Sequence, residues 1–561
     1  MQKQNKLRRS GAKIMASLIV LLGSLSYVMV GAIINGVLGF ICSMGVTVFG
    51  AIGIAKVLGE AISMDYSLII TLAISCGLLR GILRYIEQYF NHYIAFRLLA
   101  VLRDKIFKSL RILAPAKLES KQKGSIIAMI TSDIETLEVF YAHTISPIFI
   151  AILMSIIVCV FVGMMSSWLL SLVAFIGFVY IGVIVPMISS KALKESGVRY
   201  REEFSGFNAY FLDSIKGIKD IVFNNAGAER EKEVNARSEK LLKETKSMKK
   251  NSTKAAAATE LAVTIFNILT LAVGIYLVSI NALTIGRMII GVVAVFGSFG
   301  PVIAVAALPS NLTQTFASGD RVLNLLQEKP VVEEVKGKEN IAYDNLAINN
   351  LSFGYDDSPI LSNVCMNAKK GEIIGIVGRS GCGKSTLLNL MLRFRQKDQG
   401  EILYNNIDVD NVNTDSLLKN VTMVSQSTYL FDMSIEDNLK IAKQDATQAE
   451  LEEACKMASI HDFIVSLPMG YKTQVGALGD NLSAGEKQRI GLARAFLRGS
   501  ELILLDEPTS NVDSINEGII LKALAEQKSK KSIILVSHRE STMAIADRIY
   551  KVENRSLTEV I

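Results

Sequence analysis

Cysteine is sparse and unpaired in this sequence. Its six residues, Cys42, Cys76, Cys159, Cys365, Cys382 and Cys455, are scattered, and no two form a C-x-x-C pair. Neither a disulfide framework nor a zinc site is indicated by such spacing. Charge is scarce as well: 20% of the 561 residues are charged, against 50% hydrophobic. That imbalance, with a mean hydropathy of +0.35, suits a polytopic membrane part joined to a soluble one. No small-residue cleavage site follows the basic N-terminus MQKQNKLRRSGAK, and the apolar run after it is far longer than that of a signal peptide. An uncleaved, cytoplasmic N-terminus is expected. The net charge of +7 does not require a nucleic-acid partner, because the basic residues cluster beside apolar runs, where the positive-inside rule puts them. No internal repeat or low-complexity tract stands out.

Apolar runs of spanning length lie near Ile14–Val57, Ser67–Phe90, Thr144–Ser166, Trp168–Ser189, Ala256–Ile280 and Met288–Leu308. The first is about twice the ~20 residues needed to cross a bilayer. If it crosses once, the acidic Glu60 and Asp65 lie outside, and the basic segments Arg97–Lys123 and Lys191–Lys254 both lie inside. A second crossing would reverse that arrangement against the rule. Six helices are therefore expected, the first long, or bent at Gly31, Gly36, Gly39 or Gly45. The two long inner connections read as helical, so helices should continue well below the membrane. Trp168 stands where an interfacial aromatic would. Composition turns polar over Gln327–Asn345, and the remainder alternates short apolar strands with helical patterns. The expected layout is multidomain: an all-α six-helix transmembrane domain over 1–326, a linker over 327–345, and an α/β P-loop domain over 346–561.

The soluble part carries the chemistry. EIIGIVGRSGCGKSTLLNLML contains G-x-x-x-x-G-K-S, after an apolar strand and before a helical run. The loop residues Gly378, Arg379, Ser380, Gly381, Cys382 and Gly383 can wrap phosphates with backbone N–H groups at a helix start. Lys384 would reach the β- and γ-phosphates, Ser385 would coordinate Mg²⁺, and Thr386 follows in the same turn. Cys382 reads as a small, tolerated loop residue. In ELILLDEPTSNVD, the strand Leu502–Leu505 ends in Asp506, which can hold Mg²⁺. Glu507 follows, where it could polarise a water against the γ-phosphate.

With these motifs in place, the domain resembles an ATP-binding-cassette ATPase, with ATP and Mg²⁺ as implied cofactors. The resemblance implies further roles. Tyr355 in LSFGY matches the aromatic that stacks on adenine, and Gln426 in MVSQSTYLF the glutamine that touches Mg²⁺. Asp513 in SNVD matches the D-loop, and His538 in ILVSH the switch histidine. LSAGE, Leu482–Glu486, resembles the LSGGQ signature with two changes. In that family the signature acts in trans on ATP held by the opposite subunit, so Ser483 and Gly485 would contact the partner's γ-phosphate. S-A-G-E also reads as a capping box, and Ala484 falls at a first helical position where a methyl is allowed.

Six helices ahead of one cassette resemble a half-transporter of the type IV exporter fold, active as a dimer. The implied setting is a bacterial plasma membrane, crossed several times, with the nucleotide domain cytoplasmic. Coupling helices are expected near Leu113–Glu119 and Phe211–Ile221. The segments LRGILRYIEQYFNHYIAFRLLAVLR and SDIETLEVFYAHTISP look more narrowly like the CydC/CydD type of heterodimeric cysteine and glutathione exporter, which favours a second, different half as partner. Arg80, Arg84, Gln88 and His92 recur at four-residue spacing on the second helix. They are open to three readings: a wall for an anionic substrate such as a thiol peptide, a haem site on His92, or structural pairing of Arg84 with Glu87. A haem or multidrug exporter, and a cassette protein whose ATP cycle gates without transport, stand as alternatives.

Overall fold

The computed structural model describes residues 9–119, 123–355, 358–476, 479–510 and 512–560. Most of the basic N-terminal segment lies outside the described residues. The chain divides into two compact units, one of Met1–Arg111 with Lys121–Glu328, the other of Ile112–Ser120 with Lys329–Ile561.

Among the described residues six helices are long and apolar enough to cross a membrane: α1 (Ser26–Val57), α2 (Tyr66–Leu113), α3 (Gly124–Met165), α4 (Trp168–Lys216), α5 (Gly227–Ser279) and α6 (Ile285–Ala306). At ~1.5 Å per residue, helices of 49 and 53 residues such as α4 and α5 run to more than twice the ~30 Å hydrocarbon thickness. Their polar ends pair through Arg199 with Glu244 at 3.3 Å and Lys240 with Glu203 at 2.7 Å. The short helix Ile218–Phe223, overlapping the second expected coupling segment, caps this hairpin and exposes Ile218, Val222 and Phe223.

The first apolar run is bent, but not where its glycines suggested. A short helix, Gly11–Val20, ends before a turn at Gly23, whose φ of +48° suits glycine. The helix α1 then runs unbroken for 32 residues. Gly31, Gly36 and Gly45 instead form a close seam with other helices. A Cβ on Gly36 would run into Ile150 Cδ1, and one on Gly45 would meet Cys76 Sγ at 3.0 Å. Without side chains of their own, these glycines let Phe90, Ile150 and Cys76 pack directly against the helix, and such van der Waals packing is one of the forces that associate helices in lipid. Helical hydrogen bonds meanwhile hold the glycines in line.

The second unit is built on two sheets. Four antiparallel strands lie in the order β2–β1–β4–β5, formed by β1 (Asn345–Tyr355), β2 (Ser358–Lys369), β4 (Gln399–Tyr404) and β5 (Ile407–Asp408). The other sheet runs β10–β9–β3–β8–β7–β6. Its strands are β3 (Ile373–Gly378), β6 (Val421–Val424), β7 (Leu502–Asp506), β8 (Ser532–Ser537), β9 (Arg548–Glu553) and β10 (Ser556–Glu559). All its pairings are parallel except β9 with β10. The strands β7 and β8 are apolar along nearly their whole length and buried, as expected of a parallel sheet covered on both faces.

Candidate functional site

In an open parallel sheet, ligands bind beyond the carboxyl ends of the strands. Here β3, β8, β7 and β6 are neighbours, and the loop that follows each carries a candidate side chain within two residues of the strand or at the start of the next helix. The loop after β3 turns through Gly381 (φ +79°) and Gly383 (φ +106°) into the helix α7 (Lys384–Met391). Those angles are strained for any residue with a Cβ, so glycine is required there. Lys384 is buried, and its ammonium donates to the carbonyls of Gly378 at 2.9 Å and Arg379 at 3.1 Å. The cation therefore lies inside the loop that exposes its own amides. Cys382 sits in the same turn, its N–H donating to the Arg379 carbonyl. A Cβ on Gly378 would come within 2.7 Å of the Cys382 Sγ.

At the end of β7, the Asp506 carboxylate accepts a hydrogen bond from Ser385 Oγ at 2.9 Å. Burial pushes its pKa up; the Ser385 bond and Lys384 pull it down and Glu507 pushes it up, leaving it above the usual aspartate value. Glu507 has a φ of +49°, a sparsely populated conformation for a residue with a side chain. Its amide is fixed by the Val536 carbonyl at 2.9 Å. The carboxylate is thereby held between Gln426 Nε2 at 3.2 Å and His538 Nδ1 at 3.4 Å. Gln426 also donates to Ser510 Oγ at 3.4 Å. Lys384, Ser385, Asp506, Glu507, Gln426 and His538 thus meet at one edge of one sheet. Ser385 and Asp506 offer the hard oxygen donors that Mg²⁺ takes together with nucleotide phosphates and water. Among the described residues no group of three or more His, Cys, Asp or Glu is placed to hold a metal alone.

Tyr355 ends β1. Its ring is partly exposed, and its hydroxyl lies 3.3 Å from Thr386 Oγ1 in the first turn of α7. The signature opens the helix α8 (Ala484–Arg498) with the expected capping box: Glu486 N–H donates to Ser483 Oγ at 3.3 Å, and Ser483 N–H to Glu486 Oε2 at 2.8 Å. Ala484 is exposed, whereas Gly485 is buried against Asn516. Asp513 caps the helix α9 (Ser514–Glu526), accepting from the Ile515 and Asn516 amides and from Asn516 Nδ2 at 2.7 Å. These bonds hold its carboxyl below the usual aspartate range. Signature and D-loop therefore touch through one side chain, Asn516.

Sequence reasoning passed over Gln488. Buried on α8, it accepts from Thr428 Oγ1 at 2.7 Å and donates to the carbonyls of Ser425 at 3.1 Å and Gln426 at 3.2 Å. The signature helix thereby grips the backbone that carries Gln426. The available signal was a polar residue on the buried face of an amphipathic helix, which must find partners.

Comparisons with known proteins agree with this geometry. Residues 361–510 match the family model described as ABC transporter, and residues 25–302 the model of the ABC transporter transmembrane region. The chain is 46% identical over 549 residues to a probable ABC transporter ATP-binding/permease protein of Haemophilus influenzae, covering 98% of this chain and 99% of that one. It is 28% identical to an ATP-dependent lipid A-core flippase of Syntrophus aciditrophicus, over 83% of this chain and 78% of that one. A putative multidrug export ATP-binding/permease protein of Bacillus subtilis is 30% identical, over 83% and 81%. The fold of this chain is similar to that of a bacterial Atm1-family ABC exporter solved with ATP bound, at a TM-score of 0.82 and 23% identity, covering 95% of each chain.

Proposed function

The chain belongs to the ABC transporter family, as an exporter half with fused membrane and ATP-binding parts, and we propose that it moves an amphipathic compound outward by hydrolysing ATP between two such halves. The observation that carries the catalytic part is the placement of Glu507 between Gln426 and His538, beside the phosphate loop. Glu507 polarises the attacking water, and His538 steadies the carboxylate and the γ-phosphate. Tyr355 takes the base, and the loop from Gly378 to Thr386 takes the phosphates. Mg²⁺, held by Ser385, Asp506 and Gln426, would neutralise charge that develops on the transferring phosphoryl group. Ser483, Gly485 and Asp513 serve the ATP of the opposite subunit.

The α2 face bears on the substrate. Arg84 is bound to the buried Glu87 at 2.6 Å, and the His92 ring lies 3.9 Å from the Glu138 carboxylate. Arg84, one of the cations that an anionic substrate would need, is therefore balanced within the chain. An amphipathic substrate fits that charge balance better, in keeping with the multidrug and lipid substrates named for relatives. The narrower CydC/CydD reading, with glutathione or cysteine as cargo and a second kind of half as partner, rests on sequence alone, in the second helix and the first half of the third.

Inside-out vesicles separate these readings. ATP-dependent uptake of an amphipathic dye, abolished by Glu507→Gln, supports the proposal. Uptake of labelled glutathione but not dye would favour the thiol reading. ATPase activity with no transported compound would favour a cassette that gates without transport.

A further inference from the structure

The Tyr355 ring is enclosed on more than the side left for a base. The Arg395 guanidinium lies over the ring, its Cζ 5.1 Å from the centroid. Phe353 meets the ring edge-on, at 5.1 Å and 85°. The tyrosine hydroxyl is tied to Thr386. Arg395 belongs to the short loop that leads from α7 to β4, and both ends of that loop are pinned. Arg393 is buried and donates to the Val412 carbonyl at 2.8 Å. Lys397 bonds to Asp408 at 2.8 Å. The Asp398 carboxylate accepts from the Gly354 N–H, next to Tyr355, at 2.8 Å, and the Asp398 N–H donates to the Ser352 carbonyl at 3.1 Å. A guanidinium carried by a loop fixed on either side is placed before any nucleotide arrives.

We propose that Arg395 is a positioning residue for the nucleotide base: it backs the Tyr355 ring by cation–π stacking and holds it as a rigid platform whose other face receives the adenine. This rests on the reading of Tyr355 as the base-stacking residue. The physical basis is twofold. A planar cation over a tyrosine face is attracted by the ring quadrupole. A ring held in its bound orientation loses less freedom when the base stacks. The Thr386 contact adds a consequence, because it fixes the platform relative to the helix that binds the phosphates. Base and triphosphate are thus held at one spacing by Arg395, Tyr355 and Thr386 together.

The test measures ATPase kinetics of the full-length protein in nanodiscs with Arg395→Met, Arg395→Lys, Tyr355→Ala and the double variant Arg395→Met/Tyr355→Ala. Arg395→Met keeps the stem and removes the charge. It is expected to raise KM for ATP by about three- to tenfold with kcat nearly unchanged, and Arg395→Lys should recover part of the loss. Added to Tyr355→Ala, Arg395→Met should have no further effect, since the platform is already gone. Inhibition by inorganic tripolyphosphate, which has no base, should be the same in Arg395→Met as in the parent. Loss of tripolyphosphate binding, or a loss additive with that of Tyr355→Ala, would mean a general disturbance of the loop and overturn the proposal. A fall in KM for Arg395→Met would place the guanidinium on the face the base needs, and would overturn it as well. If Tyr355→Ala itself leaves KM unchanged, the reading of Tyr355 fails, separately from that of Arg395.

Discussion

The two middle positions of LSAGE differ in how much room they have, and that difference predicts opposite tolerances. Ala484 is exposed at the first helical position of α8, so its methyl meets solvent. Gly485 is buried. A Cβ there would stand 2.9 Å from Asn516 Cγ, 3.1 Å from its Cβ and 3.2 Å from its Nδ2. Gly485→Ala must therefore push the Asn516 side chain aside and break its 2.7 Å bond to Asp513. Overpacking costs about 1–3 kcal/mol, and losing an exposed, charge-assisted bond adds about 1 kcal/mol. The helix regains about 0.5–1 kcal/mol because alanine replaces glycine. The balance, about 2 kcal/mol, falls on the surface formed by signature and D-loop, and corresponds to about a thirtyfold drop in ATPase rate. Ala484→Gly should change the rate by less than about threefold, since only helix propensity is lost. Asn516→Ala added to Gly485→Ala removes the clashing atoms and should recover part of the rate. Steady-state ATPase of the purified protein, with nucleotide affinity measured alongside, checks the series. Full activity in Gly485→Ala, or a larger loss in Ala484→Gly, would refute the packing argument.

Two further effects follow from the nucleotide-binding unit. Asn438 is fully buried: it accepts from Phe431 N at 2.9 Å and Arg494 Nη2 at 2.7 Å, and donates to the Phe431 and Ser434 carbonyls. Asn438→Ala strands part of a guanidinium and should cost about 3–4 kcal/mol, read as a fall of about 10 °C in the melting midpoint of the unit. In its proposed role as a Mg²⁺ ligand, the Asp506 carboxyl, with its raised pKa, would have to ionise. The apo fold favours its protonated form, so acidification stabilises the apo protein through the window just above ~3.9, while Mg²⁺-dependent nucleotide affinity falls in that same window. Titrating affinity from pH 4 to 7 should show that fall begin at higher pH than for an ordinary aspartate, and Asp506→Asn should remove that component, leaving the titration of the nucleotide's own terminal phosphate.

The phosphate loop and the carboxylate pair were legible because their chemistry is local. A turn that needs glycine, a lysine and a hydroxyl occupy eight consecutive positions, and a buried strand announces the acids that follow it. The capping box was legible for the same reason, since Ser483 and Glu486 satisfy each other within one helical turn. What stayed hidden depends on residues far apart in the chain. Gln488 matters because α8 packs beside the segment after β6, some 60 residues away. Arg395 matters because the loop ahead of β4 is held against the end of β1. The glycines of α1 misled for a related reason. Glycine in a helix reads as a breaker when neighbours are unknown, but Gly36 and Gly45 are there because Ile150 and Cys76 come close. The true break, at Gly23, lies where the chain needs a positive φ.

With the signature serving the ATP of the opposite half, as proposed, the composition of the dimer can be read from this chain alone. In the proposed function Lys384 acts on the ATP held by its own chain, and Gly485 on the ATP held by the partner. In a homodimer every site contains both residues, so Lys384→Ala disables both sites and Gly485→Ala added to it changes nothing more. In a heterodimer the two substitutions fall on different sites. Lys384→Ala then removes one site and Gly485→Ala weakens the other, so the double variant must be slower than either single one. The comparison needs no knowledge of the partner's sequence, only ATPase rates of the purified assembly for three variants. Equal rates for Lys384→Ala and the double variant mean two identical halves, or a partner whose own site does not turn over. A further drop of about thirtyfold means a second, active half with its own phosphate loop, whose ATP is closed by LSAGE.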